Sequence, residues 1–234
     1  MLVLGIETST PQTAVALGTE SGLLASTVVA QGIPGDRVLM PAIEQLLVYT
    51  STSLAQVTGI AVGLGPGLFT GMRVGIAAAR TLAQALKVPV VGLASLDVLA
   101  FPARATKRTI CAVIDAKRRE VFHALYRSVP GGVSREGGFE VGSPSRLRAE
   151  LEARAEDVLL VGDGALVYRR ELEGAGTHVE FASAVFAHPH ASALVELAVP
   201  RLQREDYGRL EDVRPIYVRK SDAEIAWDRR RGAD

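Results

Sequence analysis

The sequence predicts an α/β protein of two lobes, each a mixed sheet carrying helices, with a cleft between them. Two observations point there. Short apolar, β-branched runs followed by strand–helix units occur in one order and then, more loosely, in that order again from near residue 105. A chain of 234 residues, 48% hydrophobic and 22% charged, is also long and apolar enough for a substantial packed core. Residues 1–104 are expected to form the N-terminal lobe and 105–234 the C-terminal lobe, with the tail after about residue 212 packing back on the body. No residue-level repeat accompanies the duplication.

In the first half, "MLVLGI", "TAVALG" and "LLASTVVA" read as a three-strand antiparallel meander. A helix follows from Val38 to Tyr49, opened by "PGD" with Asp36 as N-cap and Pro41 near its first turn. The strand "GIAVGL", a helix from about Thr70 and the strand "VPVVGL" complete the order β-β-β-α-β-α-β. In the second half, "TICAVIDA" and "EVFHALYRS" read as paired strands and "REGGFEVG" as a third. Helical segments "SPSRLRAELEA", "DGALVYRRELE" and "PHASALVELAVPRLQRED" interleave with the strands "DVLLVG" and "THVEFA". Pro200 is expected to kink or break the last helix. In the tail, "IYV" is a strand-like core and "DRRRGAD" is expected to fray.

Several function classes are disfavoured. Lys plus Arg and Asp plus Glu are each 26, whereas a stand-alone nucleic-acid binder needs a basic excess to neutralise phosphates. No apolar run reaches the length of a membrane span, and "MLVLGIETST" lacks the basic start and cleavage site of a signal peptide. Cys111 is the only cysteine and reads as a buried strand residue, which fits a reducing cytoplasm.

The stretch "GLGPGLFTGMRVGIAAARTLAQAL", Gly63 to Leu86, runs a glycine-rich loop into a helix, an arrangement that often cradles phosphate. A P-loop needs Gly-Lys-Ser/Thr at the helix start, and Gly71-Met72-Arg73 stands there. The dinucleotide fingerprint needs a third glycine, and Thr70 stands in its place. On the helix, Gly71, Gly75, Ala79 and Ala83 form a small-residue stripe, flanked by Val74, Ala78, Leu82 and Ala85 on one side and by Met72 and Ile76 on the other. The apolar arc spans roughly 200°, where one core needs only about 100°. Such a helix is either buried within its own lobe or pressed against a second helix. The preceding helix, with Leu39, Ile43, Leu46 and Leu47 in one stripe widened by Val38, Ala42 and Tyr49, favours half of an intermolecular four-helix bundle. The expected partner interface is therefore Leu39, Ile43, Leu46, Gly71, Met72, Gly75, Ile76, Ala79 and Ala83.

No residue is assigned a catalytic, cofactor-binding or metal-ligating role. The four histidines, His123, His178, His188 and His190, include no i, i+4 pair, and His188 and His190 flank Pro189 in what reads as a solvated loop. No Gly-x-Ser-x-Gly elbow appears. Asp115 and Glu120 bracket "DAKRRE" and read as a solvated turn rather than an acid pair. "GIETSTPQTAV" places Glu7, Thr8, Ser9 and Thr10 in a strand–turn–strand of the kind that sits under a phosphate in two-lobed α/β proteins.

Four stretches together, "LGIETST", "GLGPGLFTGMRVGIAAARTLA", "VIDAKRREVFHALY" and "PIYVR", resemble the TsaB (YeaZ) family, part of the bacterial machinery that makes threonylcarbamoyladenosine in tRNA. The resemblance implies a duplicated actin-like ATPase fold (sugar kinase/Hsp70/actin superfamily), in which Glu7, Thr8 and Ser9 would be a vestigial phosphate-type turn. It implies a non-catalytic subunit without a cofactor. The paralogue TsaD carries a metal-binding His-x-x-x-His and transfers the threonylcarbamoyl group from an adenylate to an adenosine beside the anticodon. TsaB pairs with TsaD, or with itself, through the two helices above; TsaE, an ATPase, joins, and tRNA is met only indirectly. This chain departs from the pattern at Glu7 (usually Asp), at Gly35-Asp36-Arg37 (often His-Ser-Glu), at Leu68 (Ser) and at Arg119 (Gly). The alternative is a self-sufficient nucleotide-dependent enzyme of the same superfamily, supported by "GIETST" and the cleft. A peptidase role has no nucleophile–base pair or zinc motif behind it.

Overall fold

The structure, a computed structural model, describes residues 1–30 and 35–219. In the first half, strands β1 (Val3–Glu7), β2 (Thr13–Thr19) and β3 (Gly22–Val29) precede α1 (Gly35–Tyr49), β4 (Gly59–Gly63), α2 (Phe69–Leu86), β5 (Val90–Leu93) and α3 (Ser95–Ala100). In the second half, β6 (Thr109–Lys117), β7 (Glu120–Val129) and β8 (Gly132–Gly142) precede α4 (Pro144–Glu152) and β9 (Val158–Val161). Then come α5 (Asp163–Val167), α6 (Arg169–Leu172), β10 (Val179–Phe181) and α7 (Ala191–Gln203). One five-stranded sheet runs β3-β2-β1-β4-β5 and the other, from its far edge, β8-β7-β6-β9-β10. In each, the first two hairpins are antiparallel and the later strands parallel. This is the doubled order that the actin-like resemblance implies.

Period-two alternation explains the layers, because successive strand residues face opposite sides. Leu4, Ile6, Val15, Leu17, Ile60 and Val62 point toward α1 and α2. Val3, Ala14, Ala16, Ala61 and Val91 point the other way, onto α7. The two halves thus exchange their last helices: α7 covers the first sheet, while Leu96, Leu99 and Ala100 of α3 pack on Ile110, Ile114 and Phe122 of the second. Helices α3 and α7 pack on each other between the sheets. The outer face of the second sheet, with Val113, Leu125 and Leu160, is covered by Leu147 and Leu151 of α4 and Leu172 of α6.

Several expectations need correction. Helix α3 was not foreseen in "SLDVLA". Pro200 does not break α7, which runs on to Gln203. Pro200 and Glu196, whose carbonyl it leaves without its helical donor, are both exposed. "DGALVYRRELE" is two short helices divided at Tyr168. Pro41 sits in the middle of α1 rather than its first turn. "IYV" forms no strand, but the tail does fold back, since the Ile216 N–H donates to the Leu64 carbonyl at 2.8 Å. The Asp36 side chain and "DRRRGAD" lie outside the described residues. Cys111 is buried, and burial pushes its thiol well above the usual range. No described helix is long and apolar enough to cross a membrane.

Candidate functional site

The turn after β1 and the glycine-rich loop after β4 meet, as both motifs require if they form one site. Their contact is a seal. Glu7 is 1% exposed; its Oε1 accepts the Ser9 N–H at 2.7 Å and its Oε2 accepts the Ser95 hydroxyl at 3.0 Å. Ser95 Oγ in turn accepts the Gly65 N–H at 3.1 Å, and the Ser95 N–H donates to the Gly65 carbonyl at 2.7 Å. The loop is stitched down further by the Leu68 N–H, which donates to the Ser9 carbonyl at 2.7 Å. Burial raises the Glu7 pKa against the opposing pull of its Ser9 and Ser95 hydrogen bonds. Ser9 Oγ and Thr10 Oγ1 are buried without partners.

The glycines are explained by this seal. A methyl group at Gly63 would overlap the Glu7 carboxylate, one at Gly67 or Gly71 the carbonyl of Ser9 or Thr8, and one at Gly75 the Thr8 hydroxyl. Thr8 Oγ1 donates to the Gly71 carbonyl at 2.8 Å, so α2 rests directly on the end of β1. The stripe that was expected to admit a foreign helix admits this chain's own turn.

The same holds along both helices. Leu39, Ile43, Leu46, Met72, Ile76, Ala79 and Ala83 are each at most 4% exposed, Gly75 is buried and Gly71 half-buried. All but Met72 and the glycines belong to the core under α1 and α2. The expectation that these residues face a partner is corrected: they face the first sheet, because its Leu4, Ile6, Val15 and Val62 demand an apolar cover. What the pair of helices does present to solvent is another set. On α1, Met40 is 41% exposed, Val48 74% and Tyr49 70%. On α2, Ala77, Thr81 and Ala85 are exposed beside the half-buried Val74 and Ala78.

In the second half, the hairpin after β6 occupies the position that Glu7 holds in the first. Here the solvated-turn reading of Asp115 fails. Its carboxylate is 6% exposed, accepts the Lys117 N–H at 2.8 Å and pairs with Lys117 Nζ at 2.7 Å. The Asp115 N–H donates to Asp163 Oδ1 at 3.1 Å, and the Tyr168 hydroxyl donates to Asp115 Oδ1 at 3.3 Å. Burial pushes Asp163 up to about 6. Glu120 is instead an ion-pair partner of Arg219, at 2.6 Å.

A cleft of about 620 Å³ lies between the start of α2, this hairpin and residues 216–219. Its cations are engaged: Arg73 Nε donates to the Tyr217 hydroxyl at 3.1 Å and its guanidinium stacks 3.8 Å from the Phe69 centroid, while Lys117 and Arg219 hold the acids above. Among the other sequence candidates, His190 Nε2 lies 3.0 Å from the Val185 carbonyl and His178 Nε2 3.0 Å from that of Leu151. Burial lowers the His188 pKa, with His190 adding to it.

The family described as "TsaD: tRNA N6-adenosine threonylcarbamoyltransferase" matches residues 36–227. The "tRNA threonylcarbamoyladenosine biosynthesis protein TsaB" of Bacillus subtilis is 27% identical over 228 residues, 97% of this chain and 98% of that protein. Among solved structures, YeaZ from Pseudomonas aeruginosa superposes with a TM-score of 0.79 at 30% identity, over 92% of this chain and 99% of that one. EutJ from Carboxydothermus hydrogenoformans, at 10% identity and a TM-score of 0.52 over 85% of this chain and 89% of that one, shares the fold alone.

Proposed function

The chain belongs to the TsaB (YeaZ) family of tRNA threonylcarbamoyladenosine biosynthesis proteins, and from that membership we propose that it is a non-catalytic subunit that pairs with a TsaD-like transferase and activates it. The observation that carries this reading is the outward face of α1 and α2. Met40, Val48 and Tyr49 of α1 stand exposed, as do the small residues Ala77, Thr81 and Ala85 of α2, and small side chains let another helix approach closely. Burying a side chain of Val or Met size contributes about 1.5–3 kcal/mol, so a few such residues suffice to drive association. The interface is therefore placed on these outer residues instead of on the inner stripe.

A second copy of this chain would meet the same surface, which makes a homodimer the competing occupant when the transferase is absent. A TsaE-like ATPase would join the pair, and with zero net charge the chain would leave most tRNA contact to other subunits, in the cytoplasm. The rival reading, a self-sufficient nucleotide-dependent enzyme, needs Glu7 to face a ligand, and Glu7 is sealed beneath the loop at Gly65. Light scattering on the chain with and without a TsaD-like protein tests the proposal: a one-to-one complex is expected, and two species that keep their separate masses would refute it. Calorimetry with magnesium and ATP on the isolated chain should show no binding if the nucleotide reading is wrong.

A further inference from the structure

Away from both helices, the outer face of the second sheet carries a group of side chains that neither packing nor the proposed pairing uses. His123 on β7 stands directly across from Glu140 on β8. Glu150 reaches the same point from α4, with its Oε2 3.3 Å from His123 Nε2. One ligand atom from each of the three lies within 4.8 Å of the others. The imidazole is 3% exposed, and its Nδ1 is buried with no partner. It sits on the face that Val121, Leu125, Leu147 and Leu151 make apolar.

We propose that His123, Glu140 and Glu150 bind a divalent transition-metal ion of the zinc class, which ties the β7–β8 hairpin to α4. The donor set fits: one imidazole nitrogen and two carboxylate oxygens is a ligand mixture that zinc accepts at about 2.0–2.2 Å, with the remaining positions left to water. Magnesium or calcium would call for oxygens throughout. The mobility of the ligands fits too. Glu140 and Glu150 are 46% and 32% exposed, so their ends can close on an ion while the packed ring stays fixed. Of the two carboxylates, Glu140 is paired with Arg146, whose Nη2 lies 3.2 Å from Glu140 Oε2 and whose side chain is 67% exposed. An ion at the centre would release that arginine to water and give both acids a common partner. This inference is independent of the pairing with a transferase.

Zn²⁺ alone is the probe. The chain is freed of metal with a chelator and dialysed, then titrated against a competing zinc indicator, with thermal unfolding followed in parallel. One ion per chain is expected, with an unfolding temperature that rises with zinc concentration. E140Q and E150Q, at accessible positions that leave the fold intact, should each weaken binding by about tenfold or more. A His190→Gln control should leave it unchanged. Absence of saturable zinc binding would overturn the proposal, as would binding that survives both glutamate substitutions or disappears in the His190 control.

Discussion

The two faces of the α1–α2 pair are built from similar small and apolar residues and serve opposite ends. Inward, Gly71, Gly75, Ala79 and Ala83 bring α2 onto β1 so closely that Thr8 Oγ1 donates to the Gly71 carbonyl at 2.8 Å. Outward, Ala77, Thr81 and Ala85 repeat the same i, i+4 spacing against solvent. The difference is glycine. Alanine on the outer face leaves room for a neighbouring helix, but at Gly71 even one methyl group collides with the Thr8 carbonyl. A stripe of small residues therefore announces a close approach without saying by what, and the strictness of the glycine requirement points to the chain's own backbone.

The contrast breaks most visibly if the inner face is overfilled. Gly75→Leu should lose about 3 kcal/mol or more and leave little folded protein, read by circular dichroism melting, since a leucine there meets the buried Thr8 side chain with Ile6 behind it. A Gly75→Leu protein that melts like the wild type would return the stripe to the partner. Leu46→Ala, which empties a core position 1% exposed, should destabilise by about 2–5 kcal/mol in urea unfolding. Glu7→Gln probes the seal beneath the inner face with a smaller effect. Burial holds the folded-state pKa of Glu7 above its unfolded value of 4.5, so the folded state binds the extra proton. The stabilising contribution of that protonated form is complete below 4.5 and disappears as pH rises through the folded pKa. The glutamine variant should lack this fall and be the more stable protein at neutral pH; matching pH profiles would contradict it. Val48→Ala, at the exposed outer position, should change stability by less than about 0.5 kcal/mol.

Short apolar, β-branched runs between turn residues made both sheets legible in the sequence; Val3 through Ile6 and Ala14 through Leu17 are apolar throughout because the first sheet is covered on both faces. Helix α3 was not legible: Ser95, Leu96, Val98, Leu99 and Ala100 are all buried, so no polar face marks a period. The wide apolar arc of α2 does not say which side meets the chain's own sheet, and the glycine side, expected at a partner, lies against β1 and the first sheet. Nothing in the spacing of α2 reveals that β1 ends beneath it with Thr8. Asp115 sits among four charged residues in "DAKRRE" and looks solvated until Asp163, 48 positions later, accepts its N–H. The grouping of His123, Glu140 and Glu150 comes from two strands and a helix, and no local motif encodes it.

The outward face carries the account, and one binding measurement meets it directly. Val48→Arg and Ala77→Arg, combined in one chain, place two charges on that face without touching the core under it. Calorimetric titration of a TsaD-like protein should show affinity reduced by at least about thirtyfold, with the melting temperature of the variant kept near that of the wild type. Undiminished affinity in that folded variant would contradict the claim that the partner docks on the outer faces of α1 and α2.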